Sequence, residues 1–270
     1  MIGRPLIALM YHGLGEPADA RVGHRYTVTV PAFEEQLDLV RALHVNVVAP
    51  EQATQTGGLM LTFDGGESSV AREALPRMAV RGMRGAVFMT TEWIGRSGFL
   101  DRQALRELQA AGWLIGSRGH TNRHLNSLHP KELEDELARS KGRLEELFGL
   151  PVSHLALPGG RYSKNVLDRA RKLGLTTFWT SRPGLSAIPV TDSLVRRTAI
   201  RRHESRRRFT RLVTGDRMVH ALEELSSNAR FTMRRLVGEE RYLRLSSAVL
   251  GWFAEKPSRH HLRRRTPARP

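Results

Sequence analysis

Three short segments hold residue types that can do chemistry. The first is Leu59-Met60-Leu61-Thr62-Phe63-Asp64-Gly65-Gly66, an apolar run that ends on a carboxylate and breaks at two glycines. A strand that delivers an acid to a glycine turn can present a general base, and the same residues also make a plain turn or a helix N-cap. The second is Gly116-Ser117-Arg118-Gly119-His120-Thr121-Asn122-Arg123-His124-Leu125-Asn126-Ser127-Leu128. His120 and His124 are four apart, so on a helix they share one face. Divalent metals use that spacing, and surface or capping histidines show it too. The third is Leu157-Pro158-Gly159-Gly160-Arg161-Tyr162-Ser163, where proline and paired glycines fix the backbone and Tyr162 can line a pocket.

Each segment must be held by something, and the surrounding pattern says what. Apolar runs of strand length alternate with helical patterns: strands at Leu6 to Tyr11, Val45 to Ala49, Leu59 to Phe63, Ala86 to Met89, Trp113 to Ser117, Leu155 to Leu157 and Thr176 to Trp179. Between them lie helices opened by Pro31 with an apolar face of Leu37, Val40 and Leu43, one through Val70, Ala74 and Met78, and one capped by Asp101. Two more run from Pro130 to Phe148 and from Ser163 to Leu173. Such alternation predicts a parallel sheet, closed or doubly wound, with functional groups at the carboxyl ends of its strands. From about Arg217 the pattern turns wholly helical, through Met218 to Leu225, Phe231 to Leu236 and Glu239 to Phe253.

Bulk composition narrows the function classes. The 270 residues, 40% hydrophobic with 6% aromatic, suit one α/β barrel with a small appendage. No run of about 18 to 20 apolar residues is present, so no transmembrane helix is expected. Met1 to Tyr11 reads as a first strand and not a signal peptide. The absence of cysteine excludes disulfides, thiol chemistry and thiolate-bound zinc, and points to a cytoplasmic location. The formal charge of +16 is mostly arginine spread along the chain, which reads as composition more than as a nucleic-acid surface. Two clusters stand out, Arg201 to Arg208 and Arg259 to Arg265. The second follows an apolar stretch at 242–253, an arrangement that suits the face of an anionic membrane.

The three segments, in this order, resemble the polysaccharide deacetylase family, carbohydrate esterase family 4, also called the NodB-homology domain. The resemblance spans about Pro5 to Phe209, with Met10-Tyr11-His12 and Ala86-Val87-Phe88 fitting as well. It implies a distorted (β/α) barrel, seven-stranded, to which the helical pattern from about Arg217 adds a helical C-terminal extension. It also implies hydrolysis of N- or O-acetyl groups on a carbohydrate polymer or oligosaccharide. In the family a second Asp and two His hold a divalent metal, usually zinc. The first Asp is the general base, and a late His is the general acid.

Alignment on the flanking residues puts Asp64 in the base position. The metal-ligand positions then fall on Gly65, Arg118 and Asn122. Glycine has no ligand atom, and arginine stays protonated and repels a cation. The first expectation is therefore a metal-free pseudoenzyme in which Arg118 pairs with Asp64 and supplies fixed charge in place of the ion. A second is an active deacetylase with zinc shifted to Asp64, His120 and His124. A third is a non-catalytic protein that holds sugar by stacking on Trp93, Trp113, Tyr162 or Trp179. It would use a substrate pocket at Pro158, Gly160 and Tyr162, or attach to the inner membrane face through its basic C-terminus. His203 is the nearest candidate for the late acid. The expected organisation is a barrel over 1–215, a helical extension over 216–256 and a basic, disordered tail over 257–270.

Overall fold

A computed structural model describes residues 4–16, 24–190 and 193–237. It divides into two compact units, Met1–Glu224 and Leu225–Pro270. The first unit carries a parallel sheet with helices between its strands. In order these are β1 (Leu6–Tyr11), α1 (Val30–Ala42), α2 (Ala53–Thr56), β2 (Gly58–Gly65), α3 (Leu75–Ala79), β3 (Ala86–Met89), α4 (Arg102–Ala110) and β4 (Leu114–Ser117). Then come α5 (Pro130–Phe148), β5 (His154–Ala156), α6 (Lys164–Lys172), β6 (Thr177–Trp179), β7 (Leu194–Val195), β8 (Arg197–Ala199) and α7 (Arg206–Val213). The last helix, α8 (Arg217–Val237), begins in the first unit and ends in the second.

The strand order is β7-β6-β5-β4-β3-β2-β1-β8. Only Arg196 separates β7 from β8, yet β7 pairs with β6 and β8 pairs with β1, both in parallel. One short stretch of chain therefore joins the two ends of the sheet. Together β7 and β8 act as the seventh strand of the barrel. The sequence reading has no strand here, because each piece is only two or three residues long and arginines interrupt the apolar run.

Side-chain parity divides the core. Successive strand residues face opposite sides of a sheet. Leu6, Ala8, Met60, Ala86, Phe88, Ala156, Trp179 and Val195 form one buried cluster inside the barrel. Their neighbours Ile7, Leu9, Leu59, Leu61, Phe63, Val87 and Met89 belong to the larger cluster under the helices. Into that outer layer α5 buries Leu133, Leu137, Leu144 and Leu147, its four leucines.

Local signals place the helices. Thr29 Oγ1 accepts from Ala32 N at 3.4 Å and Asp101 Oδ1 from Ala104 N at 2.8 Å, each capping a helix start. Gly149, at φ 65°, ends α5 in a left-handed turn.

Three expectations need correction. The strand at Val45 to Ala49 reduces to a single bridge, Val47 to Leu59. The edge of β2 it would use is taken by β3 from Thr62 onward. Leu43 closes α1 at the surface, 38% exposed, while Phe33, Gln36, Leu37 and Val40 form the buried face. The segments Met218 to Leu225 and Phe231 to Leu236 form one helix, α8. The stretch at 242–253 and the basic tail lie outside the described residues.

Candidate functional site

Strand parity builds the site before any contact is considered. His12 continues the interior series Leu6, Ala8, Met10. Asp64 continues Met60 and Thr62, Arg118 continues Leu114 and Gly116, and Arg197 follows Val195. Four polar side chains thus point into the barrel from the ends of β1, β2 and β4 and from β8. The side chain of Asp64 is wholly buried.

Arg197 grips Asp64 as a fork, with Nη1 donating to Oδ1 at 2.6 Å and Nη2 to Oδ2 at 2.9 Å. Its Nε donates to Thr180 O at 2.8 Å, Nη1 also reaches Thr62 Oγ1 at 3.2 Å, and the guanidinium lies 5.2 Å from the ring of Phe88. Arg118 Nη1 donates to Asp64 Oδ2 from the other side. Arg118 Nε donates to Asn122 Oδ1 at 3.1 Å. Both carboxylate oxygens are therefore engaged by cations. Burial pushes the Asp64 carboxyl up, but the charges of Arg118 and Arg197 and the hydrogen bonds from Arg197 outweigh it and hold the group below the ordinary carboxylate value. Burial lowers the His12 pKa to about 4; Asp64 opposes that shift, and the two arginines add to it. His12 is neutral at pH 7, and its buried Nδ1 has no hydrogen-bond partner among the described residues. Two guanidiniums against one carboxylate leave the centre with a net positive charge.

The sequence model of the polysaccharide deacetylase family matches residues 51–178. Residues 51–178 therefore read as a polysaccharide deacetylase-family domain. The Bacillus subtilis (strain 168) protein YxkH, whose name places it among polysaccharide deacetylases, is 25% identical over 188 residues, 66% of this chain. The chain spans 65% of the length of that curated relative. Its fold matches the Streptococcus pyogenes deacetylase PplD, solved with acetate, at a TM-score of 0.69 and 18% identity, over 79% of this chain and 98% of that one. It also matches IcaB from Ammonifex degensii at 0.67 and 21%, over 79% and 97% of the two chains. A Bacillus cereus polysaccharide deacetylase matches at 0.69 and 19%, over 78% and 69%.

The deacetylase family implies a divalent metal, and the residues at the three ligand positions do not suit one. Gly65 has no donor atom. An added Cβ would find room, its nearest neighbour being a Trp93 ring atom at 3.6 Å, but φ is +95° and strains any L side chain. Arg118 holds a positive charge against Asp64, where a metal would add a second one. Asn122 spends its Oδ1 on Arg118 and sits at φ 62°, a left-handed conformation that asparagine tolerates.

Nor does the barrel bring the shifted ligands together. His120 Nδ1 lies 3.0 Å from Thr91 Oγ1. His124 Nδ1 lies 3.2 Å from Pro158 O, and a carbonyl only accepts, so that nitrogen donates. Among the described residues no group of three or more His, Cys, Asp or Glu is placed to hold a metal. His203 is exposed in the turn before α7.

The stacking expectation divides. Trp93, Trp113 and Trp179 are buried at 7%, 5% and 0% exposure and serve the core, Trp113 against Phe63 and Trp179 against Phe88. Their size outweighs any role at the surface. Tyr162 is partly exposed, with the guanidinium of Arg182 5.1 Å from its ring. Pro158 is buried, and Gly160 packs so close to Ser181 N that an added Cβ would lie 2.7 Å away.

Arg197 is the residue that sequence reading missed. Its signal is a charged residue inside an apolar run, Leu194-Val195-Arg196-Arg197-Thr198-Ala199-Ile200, at interior parity with Val195.

Proposed function

We propose that this chain is a metal-free pseudoenzyme of the polysaccharide deacetylase family that binds acetylated carbohydrate without hydrolysing it. The observation that carries this reading is Asp64 held between Arg118 and Arg197. A general base needs a free lone pair and a pKa near the working pH. Asp64 has both oxygens engaged and a depressed pKa. Taking a proton would cost it its pairing with two buried cations.

Arg118 favours binding. It uses Nε on Asn122 and Nη1 on Asp64, which leaves Nη2 to donate to an acyl oxygen. Arg118 occupies a position that the family resemblance assigns to a metal ligand. One arginine can orient an acetyl group but cannot generate hydroxide, as a metal does.

The test combines three measurements on the full chain: zinc content after loading, acetate release from N-acetylated oligosaccharides, and binding of those oligosaccharides by calorimetry. We expect substoichiometric zinc, no acetate above background, and binding that Arg118→Met weakens. Stoichiometric zinc together with acetate release would overturn the proposal.

A further inference from the structure

Most arginines of the first unit have a carboxylate partner, from Arg72–Glu73 to Arg211–Asp216. Three that have none among the described residues line one cavity. Arg102 comes from the first turn of α4, and Arg139 and Arg143 come from adjacent turns of α5. His120, in the loop that carries Arg118, closes one side, and Glu146 is the single carboxylate in the lining. The cavity has a volume of about 460 Å³. Gly142 forms part of its wall, and an added Cβ there would meet no atom within 4 Å, so the space between the arginines is open.

Like charges four residues apart on a helix destabilise it by a few tenths of a kcal/mol. Three guanidiniums around one cavity carry more positive charge than Glu146 offsets. Planar guanidiniums match carboxylate, phosphate and sulfate oxygens in pairs. The same loop supplies His120 to this cavity and Arg118 to the site at Asp64, so the cavity flanks the segment that would meet the sugar.

We propose that the cavity between α4 and α5 is a subsite for an anionic substituent of the glycan, so that the favoured ligand is an acidic polysaccharide. This rests on the carbohydrate-binding reading above and specifies its substrate class. The fork geometry suits discrete acid groups presented along a sugar chain.

The experiment titrates the full chain by calorimetry at fixed ionic strength with four probes. These are a neutral N-acetylated oligosaccharide, an oligouronate of equal length, a sulfated oligosaccharide, and a DNA duplex of matched charge. Two double variants are compared, Arg139→Gln with Arg143→Gln in the cavity, and Arg41→Gln with Arg207→Gln at exposed positions elsewhere. Both pairs remove the same charge from exposed side chains, and matching thermal unfolding confirms that both fold. We expect an acidic oligosaccharide to bind at least about tenfold tighter than the neutral one, and only the cavity pair to abolish that preference. A preference for the uronate or for the sulfated probe identifies the acid group. Equal affinity for neutral and acidic probes overturns the proposal, as do equal losses in the two double variants or DNA binding as tightly as either acidic probe. The carbohydrate-binding reading fails separately, if the neutral probe does not bind at all.

Discussion

Asp64 would be free to act as a base if its neighbours were water and a metal, and here they are two guanidiniums. A buried carboxylate that balances buried cations is a structural group, and removing one partner of such a set costs about 3–5 kcal/mol. We therefore expect Asp64→Asn to lower unfolding free energy by about that amount in chemical denaturation, because it leaves Arg118 and Arg197 buried without a counter-charge. No loss of stability would mean that the carboxylate is not paired as described. Gly65 gives a second expectation at this scale. Gly65→Asp places a side chain at φ +95°, a cost of order 1–3 kcal/mol, so restoring a carboxylate there should destabilise the protein and bind no zinc by itself. Arg118 and Asn122 were legible as departures by their alignment with flanking residues. Arg197 was not, because its partner lies 133 residues away in sequence.

At the scale of elements, α5 holds the loop that presents Arg118. Its buried Glu136 accepts from Thr121 N at 2.6 Å and from Thr121 Oγ1 at 2.9 Å, and its Ser140 Oγ lies 2.6 Å from Ser117 Oγ. Glu136→Ala would remove both acceptors of Thr121 and leave its partly buried N–H unpaired, a penalty of about 1 kcal/mol. The expected result is faster amide exchange at Thr121 and its neighbours and weaker oligosaccharide binding, with helical content unchanged. Unchanged exchange would show that α5 does not position the loop. The boundaries of α5 could be read from the sequence to the residue, because Pro130 at its start, Gly149 past its end and four leucines at helical spacing agree. β7 and β8 could not, since strands of two and three residues have no periodicity to detect. Their existence follows from the need to join β6 to β1.

For the whole molecule, buried histidines tie stability to pH. Burial lowers the pKa of both His12 and His154 from 6.5 to about 4. Trp179 Nε1 donates to His154 Nδ1 at 3.1 Å, a bond that requires that nitrogen unprotonated. Between these values the unfolded chain binds more protons than the folded one, so stability is full above about pH 6.5 and falls as the pH drops towards 4. Asp64 acts lower, its contribution being lost only as the pH falls through a pKa below the ordinary 3.8. Scanning calorimetry should show Tm falling from pH 7 to pH 5, and less steeply in His154→Gln, which keeps an acceptor for Trp179 without titrating. A Tm independent of pH over that range would contradict the burial of both imidazoles.

By itself the sequence determined the alternation of strand and helix, the resemblance to the deacetylase family, and the residue types at Gly65, Arg118 and Asn122, because each is a local property of residue type and spacing. Only the tertiary structure decided what surrounds Asp64. The closure of the sheet brings β8 beside β1 and carries Arg197 onto Asp64, and strand parity turns Arg118 inward to meet the same carboxylate. Salt bridges across that many residues leave no periodic trace, so the arginine that locks the site became visible only once the barrel was closed.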